Sequence, residues 1–410
     1  MRGGVSVEVV RKWIGMLLLA VSAAVLTGCW NSRELNELAI TVGLAIDRTE
    51  DGGVRVSAQV VEPGEVATGR PAGGGGNRSP VTLYSEEGET VFEAVRKMTT
   101  VSPRKMYFSH LRVVVFGEEI LKEGIAKELE FLSRDHEVRT DFYIIAAKGV
   151  SGHEVLEQLT PLVKLPAQKM FTSLQTSERA WAPSYGVQLD ELIANIVSKG
   201  KQPVLTAIEI IGDKEVGETQ KNVEQIDSPS NLMYSNLVAL RGDKIVGWLT
   251  LDESKGWSYV TGNVKSSVGV IDCPGGGDVS LEIVRSKSVI RAKQTGGGPA
   301  LSVDATVEAN VGEVRCRADV SDPKDIRKLE ESAERKVEEL MSAAVERAQQ
   351  LRTDIFGFGE ELHRTSPRMW RKLEKRWDET FADLPVRFHA DVKIRRIGTT
   401  NKSYLQELEE

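Results

Sequence analysis

The chain has 410 residues, 40% hydrophobic and 28% charged, with 53 Lys+Arg against 60 Asp+Glu and a net charge of -7. That length buries more than one core, and the acidic balance disfavours a general nucleic-acid binder, because phosphate backbones would repel it. Three cysteines are too few for a disulfide framework, and five histidines with no Cys-x-x-Cys or His-Glu-x-x-His give no zinc signature.

Residues 1–28 read as an export signal. Arg2, Arg11 and Lys12 form the positive start, and Ile14 to Leu26 is a mostly apolar run. As a helix that run spans about 20 Å, short of the roughly 30 Å hydrocarbon core of a bilayer. Leu26-Thr27-Gly28-Cys29 resembles the bacterial lipobox. Small residues there admit the chain to a signal peptidase, and the Cys29 thiolate accepts a diacylglyceryl group. Two acyl chains anchor stably where one is marginal. A plain secretory signal with a chance cysteine is the alternative. Removing residues 1–28 deletes Arg2, Arg11, Lys12 and Glu8, leaving 50 basic against 59 acidic residues, or -9. Such a body gains nothing from an anionic surface, so the lipid must anchor it.

Leu38 to Ile46 and Val54 to Val60 predict a β-hairpin turning at Glu50-Asp51-Gly52-Gly53. Pro63 to Pro80 reads as a loop around Gly73 to Gly76, without the Gly-Lys-Ser/Thr of a phosphate loop. Thr90-Val91-Phe92-Glu93 is a capping box opening a helix to about Thr99. His110 to Phe116 predicts a buried strand, Glu118 to Ser133 one amphipathic helix, and Asp141 to Ala147 another strand. This alternation indicates helices covering a sheet that is at least partly parallel. Residues 151–199 read as helical with breaks at Pro161, Pro166 and Pro183, Pro203 to Ile211 as a strand, and Gly212 to Asn231 as a linker.

Leu237 to Leu240 and Ile245 to Leu251 predict a hairpin closed by Arg241-Gly242-Asp243-Lys244, and a turn explains that Arg-Gly-Asp without an adhesion role. Strands around 279–284, 288–292, 301–309 and 314–320 continue an antiparallel meander. Ile326, Leu329, Ala333, Val337, Leu340, Ala344, Ala348, Leu351 and Ile355 then keep one apolar stripe over a long helix. The Ala-rich spacing suits packing on a sheet rather than on a membrane. Ser366-Pro367 starts a further helix, with Ser as N-cap, and Trp370, Leu373 and Trp377 share one face. Arg364, Arg368, Arg371, Lys372, Lys375 and Arg376 make the one concentrated basic patch, a possible partner or membrane contact. The alternative is a core tryptophan stripe with a solvated basic back. Val386 to Arg395 alternates as a closing strand.

Nothing in the sequence specifies catalysis. There is no Gly-x-Ser-x-Gly, Ser109 and His110 face opposite ways in a strand, and neither His136-Glu137 nor His153-Glu154 has a second histidine four residues on. No enzyme activity, metal site or cofactor is expected. Cys273 and Cys316 are available for a bridge outside the cytoplasm if their strands are neighbours.

Several segments together resemble the C-subunit family of bacterial spore germinant receptors, the Ger(x)C lipoproteins. They are Cys29-Trp30-Asn31-Ser32-Arg33-Glu34-Leu35-Asn36-Glu37-Leu38-Ala39-Ile40, Tyr107-Phe108-Ser109-His110-Leu111-Arg112 with Val115-Phe116-Gly117-Glu118-Glu119, and Arg134-Asp135 with Arg139. Ala147-Lys148-Gly149, Asp243-Lys244-Ile245-Val246-Gly247-Trp248-Leu249 and Asp354-Ile355-Phe356-Gly357-Phe358-Gly359 continue the match. Asn31 stands where the family usually has Asp. The resemblance implies a three-domain mixed α/β protein without enzymatic activity, lipid-anchored to the outer face of the inner spore membrane beside two integral membrane subunits.

The fold class expected is α+β or mixed α/β and multi-domain: an N-terminal mixed sheet with covering helices, and a C-terminal antiparallel sheet packed on a long helix. The expected divisions are a signal over 1–28, an α/β domain over 29–150, a largely helical middle with linker over 151–225, an α+β domain over 226–398 and a tail over 399–410. A solute-binding lipoprotein of a membrane transporter is the alternative function. It would need two similar parallel-sheet lobes joined by a hinge.

Overall fold

The structure, a computed structural model, describes residues 6–25, 34–66, 79–274, 276–296 and 298–396. Helix α1 (Val7–Val25) carries the apolar run of the expected signal. Cys29, the rest of the lipobox and the Gly73 to Gly76 loop lie outside the described residues. Among the described residues, no helix is long and apolar enough to cross a membrane.

Strands β1 (Leu38–Arg48) and β2 (Val54–Val61) form the expected hairpin, with Gly52 at φ 86° in its turn. A short α2 (Pro63–Val66) follows, then β3 (Val81–Gly88), which pairs with β2 and was not expected. The Thr90 hydroxyl accepts from the Glu93 amide at 3.1 Å and caps α3 (Val91–Lys97). The Glu93 carboxylate, however, accepts from the Glu89 amide rather than the N-cap amide. After β4 (Lys105–Tyr107) and β5 (Val113–Phe116), the single expected helix is two, α4 (Glu118–Glu123) and α5 (Ala126–Arg134). Gly124 breaks them at φ 117°. The start of α5 is capped from far away, because Asp243 Oδ2 accepts the Ala126 N–H at 3.0 Å. That contact gives the aspartate of the Arg-Gly-Asp turn a structural use.

β6 (Tyr143–Ala147), α6 (Gly152–Glu157), α7 (Pro166–Ala180), β7 (Val187–Gln188) and α8 (Leu189–Val197) follow. β8 (Val204–Gly212), α9 (Lys214–Gly217), α10 (Lys221–Glu224), β9 (Ser230–Arg241) and β10 (Lys244–Trp248) complete one ten-stranded sheet. Its order is β10-β9-β8-β6-β5-β1-β2-β3, with β4 on β1 and β7 on β6. The central β1, β5, β6 and β8 are parallel, and antiparallel strands flank them. Central strands are buried on both faces, which explains runs such as Val113-Val114-Val115-Phe116. Val114 and Phe116 pack with α3, α5 and α8, whereas Val113 and Val115 pack with α6 and α7.

The expected linker is an ordered connection between paired strands. Asn222 is buried and donates to the Leu159 and Ser230 carbonyls at 2.7 and 3.1 Å. The sheet is continuous across the divisions expected at 150/151 and 225/226, since β6 pairs with β8 and β8 with β9. The β9–β10 hairpin likewise belongs to this sheet and not to the C-terminal meander.

The second half contains α11 (Leu251–Thr261), β11 (Ser267–Asp272), β12 (Gly277–Thr295), β13 (Gly298–Cys316) and α12 (Pro323–Gln350). It ends with α13 (Phe358–Thr365), α14 (Pro367–Leu373), α15 (Trp377–Ala382) and β14 (Val386–Arg396). The four short strands expected over 279–320 are two strands of 19 residues each. The sheet order is β11-β12-β13-β14, antiparallel except that β14 runs parallel to β13. Cys273 and Cys316 form a disulfide with Cα atoms 6.3 Å apart. Leu329, Ala333, Val337, Leu340, Ala344 and Ala348 of α12 are buried in this core, so the stripe packs inward as expected. Gly256 lets α11 cross α12 closely, because a Cβ there would overlap the Leu340 carbonyl. Trp370 is buried, Trp248 only half-buried, and Ser366 precedes α14 without a side-chain cap.

Candidate functional site

The second half meets the large sheet through the Asp354 to Gly359 segment. Asp354 is fully buried. Its Oδ1 accepts from the amides of Phe356, Gly357 and Phe358, and its Oδ2 from the Gly359 amide and Trp377 Nε1. Burial pushes its carboxyl above the ordinary value, against the pull of these donors. The Gln202 amide donates to the Asp354 carbonyl at 2.7 Å, Thr353 Oγ1 to the Leu240 carbonyl at 2.7 Å, and the Glu360 amide to the Gly200 carbonyl at 3.1 Å. A Cβ on Gly359 would stand 2.7 Å from Gly200 Cα, so the two backbones touch.

Beside this junction lies a polar cavity of about 350 Å³. Lys199, Arg241, Arg352, Lys375 and Arg376 line it, with Glu374, Asp378 and Glu379 opposing them. Lys199 reaches Glu374 at 3.7 Å. Among the described residues the other four cations make no ion pair within 4.0 Å. Burial raises the Asp378 carboxyl above its ordinary value, while the Arg241 charge acts in the opposite direction.

The six residues of the basic patch therefore divide. Lys375 and Arg376 line the cavity. Arg364 is engaged by Glu361 through two hydrogen bonds of 2.9 and 2.8 Å. Arg368, Arg371 and Lys372 are exposed on α14 behind the buried Trp370. Lys199, Arg241 and Arg352 form no basic run with one another in the sequence, because each lies at or just after the end of a different element.

A second cavity, of about 490 Å³, lies between α3, β4 and α5. Phe92 and Phe131 stand in its wall with ring centres 6.1 Å apart, and Arg96 lies 5.0 Å over Phe92. Much of the charge here is spent internally, since Lys105 pairs with Glu137 and Arg134 with Glu130. Such a groove suits an apolar group better than an ion.

One constellation resembles hydrolytic chemistry. Ser57 Oγ lies 2.8 Å from His153 Nδ1, Ser85 Oγ 2.7 Å from Ser57 Oγ, and His153 Nε2 3.1 Å from Glu157. Ser57, however, is wholly buried between β1 and β3, and it lines neither cavity described above. A nucleophile with no room for a carbonyl carbon beside it cannot attack one. The cluster satisfies buried polar groups.

Residues 31–210 match the family model described as Spore germination protein N-terminal domain, and residues 235–398 match Spore germination B3/GerAC like, C-terminal. The space between the two matches, residues 211–234, holds the β8–β9 connection with the end of β8 and the start of β9. The chain is 31% identical over 396 residues to spore germination protein KC of Bacillus subtilis (strain 168), covering 96% of this chain and 97% of that protein. It is 24% identical over 386 residues to spore germination protein B3 of the same organism, covering 92% and 96%. A crystal structure of the GerBC protein superposes with a TM-score of 0.52 at 20% identity, over 87% of this chain and 97% of that one. That similarity speaks to the fold alone.

Proposed function

We propose, from the premise that the chain belongs to the spore germination B3/GerAC-like family, that it is a non-enzymatic subunit of a spore germinant receptor. The observation that carries this reading is the end-to-end similarity to a germination protein, 96% of this chain against 97% of the relative. Both halves of the fold and the junction between them fall within it. The Asp354 to Gly359 segment, which closes that junction, is one of the segments on which the family resemblance rests.

In this reading Cys29 carries the diacylglyceryl anchor, and the body stands on the outer face of the inner spore membrane. It works by contact with two integral membrane subunits, and tethering raises its effective concentration there to about the millimolar range. The Cys273–Cys316 disulfide suits that location, because such bonds persist outside the reducing cytoplasm. A transporter's solute-binding lipoprotein would need two similar lobes. Here a ten-stranded mixed sheet faces a four-stranded one of different pairing.

The test is isolation of the tagged full-length protein from detergent-solubilised spore membranes after labelling with a palmitate analogue. The reading expects labelled protein, unlabelled Cys29→Ala protein, and two integral membrane proteins co-isolated with the wild type. Equal labelling of Cys29→Ala rejects the anchor. Isolation of the chain alone rejects the partnership.

A further inference from the structure

We infer that the cavity lined by Lys199, Arg241, Arg352, Lys375 and Arg376 is a binding site for a phosphate-bearing anion. Five cations converge there from four separate parts of the chain: the α8–β8 connection, the end of β9, the turn after α12, and the segment before α15. The three carboxylates at the same cavity leave a formal excess of two positive charges in a body that is acidic as a whole. Four of the five cations have no ion pair among the described residues, and three of those four are arginines, whose planar forks suit phosphate oxygens.

The backbone at Arg352 gives an independent argument. Helix α12 ends in a Schellman motif, with the Thr353 amide donating to the Ala348 carbonyl and the Arg352 amide to the Gln349 carbonyl, each at 3.0 Å. The residue after the C-cap in that motif takes the left-handed conformation and is usually glycine. Here it is arginine, at φ 50°. A non-glycine residue there costs about 1 kcal/mol. Stability alone would favour glycine, so the arginine side chain is the reason to look for a role, and Arg352 is one of the residues lining the cavity.

The position also relates the cavity to the membrane. Gly43 pairs with Val113, Val113 with Tyr143, and Ile145 with Thr206, which sets Val204 level with Gly43. Lys199 therefore precedes β8 at the end of the sheet where β1 begins. Val204 pairs with Ala239, so Arg241 lies at that end too. β1 begins at this same end with Leu38, nine positions along the sequence from Cys29, the proposed anchor. A phosphate there can come from a lipid headgroup or from solution.

The experiment uses the full-length lipidated chain in nanodiscs and follows acylation of Lys199 and Lys375 by mass spectrometry. One arm adds inorganic phosphate to phosphatidylcholine nanodiscs, with sodium chloride of equal ionic strength as control. The other uses phosphatidylglycerol nanodiscs without phosphate. Protection of both lysines in the first arm alone supports the site and assigns a soluble anion; protection in the second alone supports it and assigns a lipid headgroup; protection in both supports it for either source. Arg352→Gly should bind about tenfold more weakly, the effect of losing one charge-assisted contact, while its melting temperature stays equal or rises. Protection in neither arm, or undiminished protection in Arg352→Gly, would overturn the proposal. Neither result depends on the germination role.

Discussion

Trp377 donates its indole N–H to Asp354 Oδ2 at 2.9 Å, and both residues are buried. The same oxygen accepts the Gly359 amide at 2.8 Å, so one carboxylate fixes a turn, a tryptophan and the seam between two sheets. Asp354→Asn keeps one acceptor and turns an NH2 group toward two buried donors. We expect it to cost at least about 2 kcal/mol, from two unsatisfied donors at 1–3 kcal/mol each. Urea unfolding measures this, with Trp377→Phe as the milder comparison. Equal midpoints for wild type and Asp354→Asn would mean that the seam tolerates an amide in place of the carboxylate.

The Cys273–Cys316 bridge joins residues 43 apart and ties the end of β11 to the end of β13. Closing a loop of that length restricts the unfolded chain, and its loss should cost about 2–4 kcal/mol. Denaturation with alkylation but no reductant should leave both cysteines unmodified, and Cys273→Ser should unfold at lower urea. Alkylation of both cysteines without reductant would refute the bridge.

Asp378 gives a pH-dependent expectation. Burial holds its folded value above the ordinary 3.8, with the Glu379 charge adding and the Arg241 charge opposing. An acid raised in this way costs stability when charged, at neutral pH, and the cost disappears as pH falls below the unfolded value. Asp378→Asn should therefore raise the melting temperature at pH 7, and the gain should shrink steadily on acidification toward pH 4. Destabilisation at pH 7 would show that attraction to Arg241 outweighs the burial cost.

The sequence carried most of the periodic elements. The β1–β2 and β9–β10 hairpins have turn residues between alternating strands, and α12 has an unbroken stripe from Leu329 to Ala348. What it hid has physical reasons. The register shift between Ile283 and Arg285 breaks the alternation of β12, so one strand reads as two. Helix α11 lacks a clean apolar face because Ser254 and Ser258 are buried and bonded, to the Leu237 amide and the Ala182 carbonyl. β3 ends in Ser85-Glu86-Glu87-Gly88, polar residues with no apolar alternation, because this edge strand stays half-exposed. The cationic cavity was half visible. Lys375 and Arg376 stand in a basic run, but Lys199, Arg241 and Arg352 reach it only through the fold.

The most direct test of the account removes the chain from the spore. Spores lacking residues 29–410, in a strain with no other receptor for the same nutrient, are purified and given that nutrient while optical density is followed. Calcium dipicolinate serves as the control trigger. The account predicts that the nutrient-driven fall in optical density is lost, that the response to calcium dipicolinate is intact, and that spores form in normal number. A deletion strain that responds to the nutrient at the wild-type rate would contradict it.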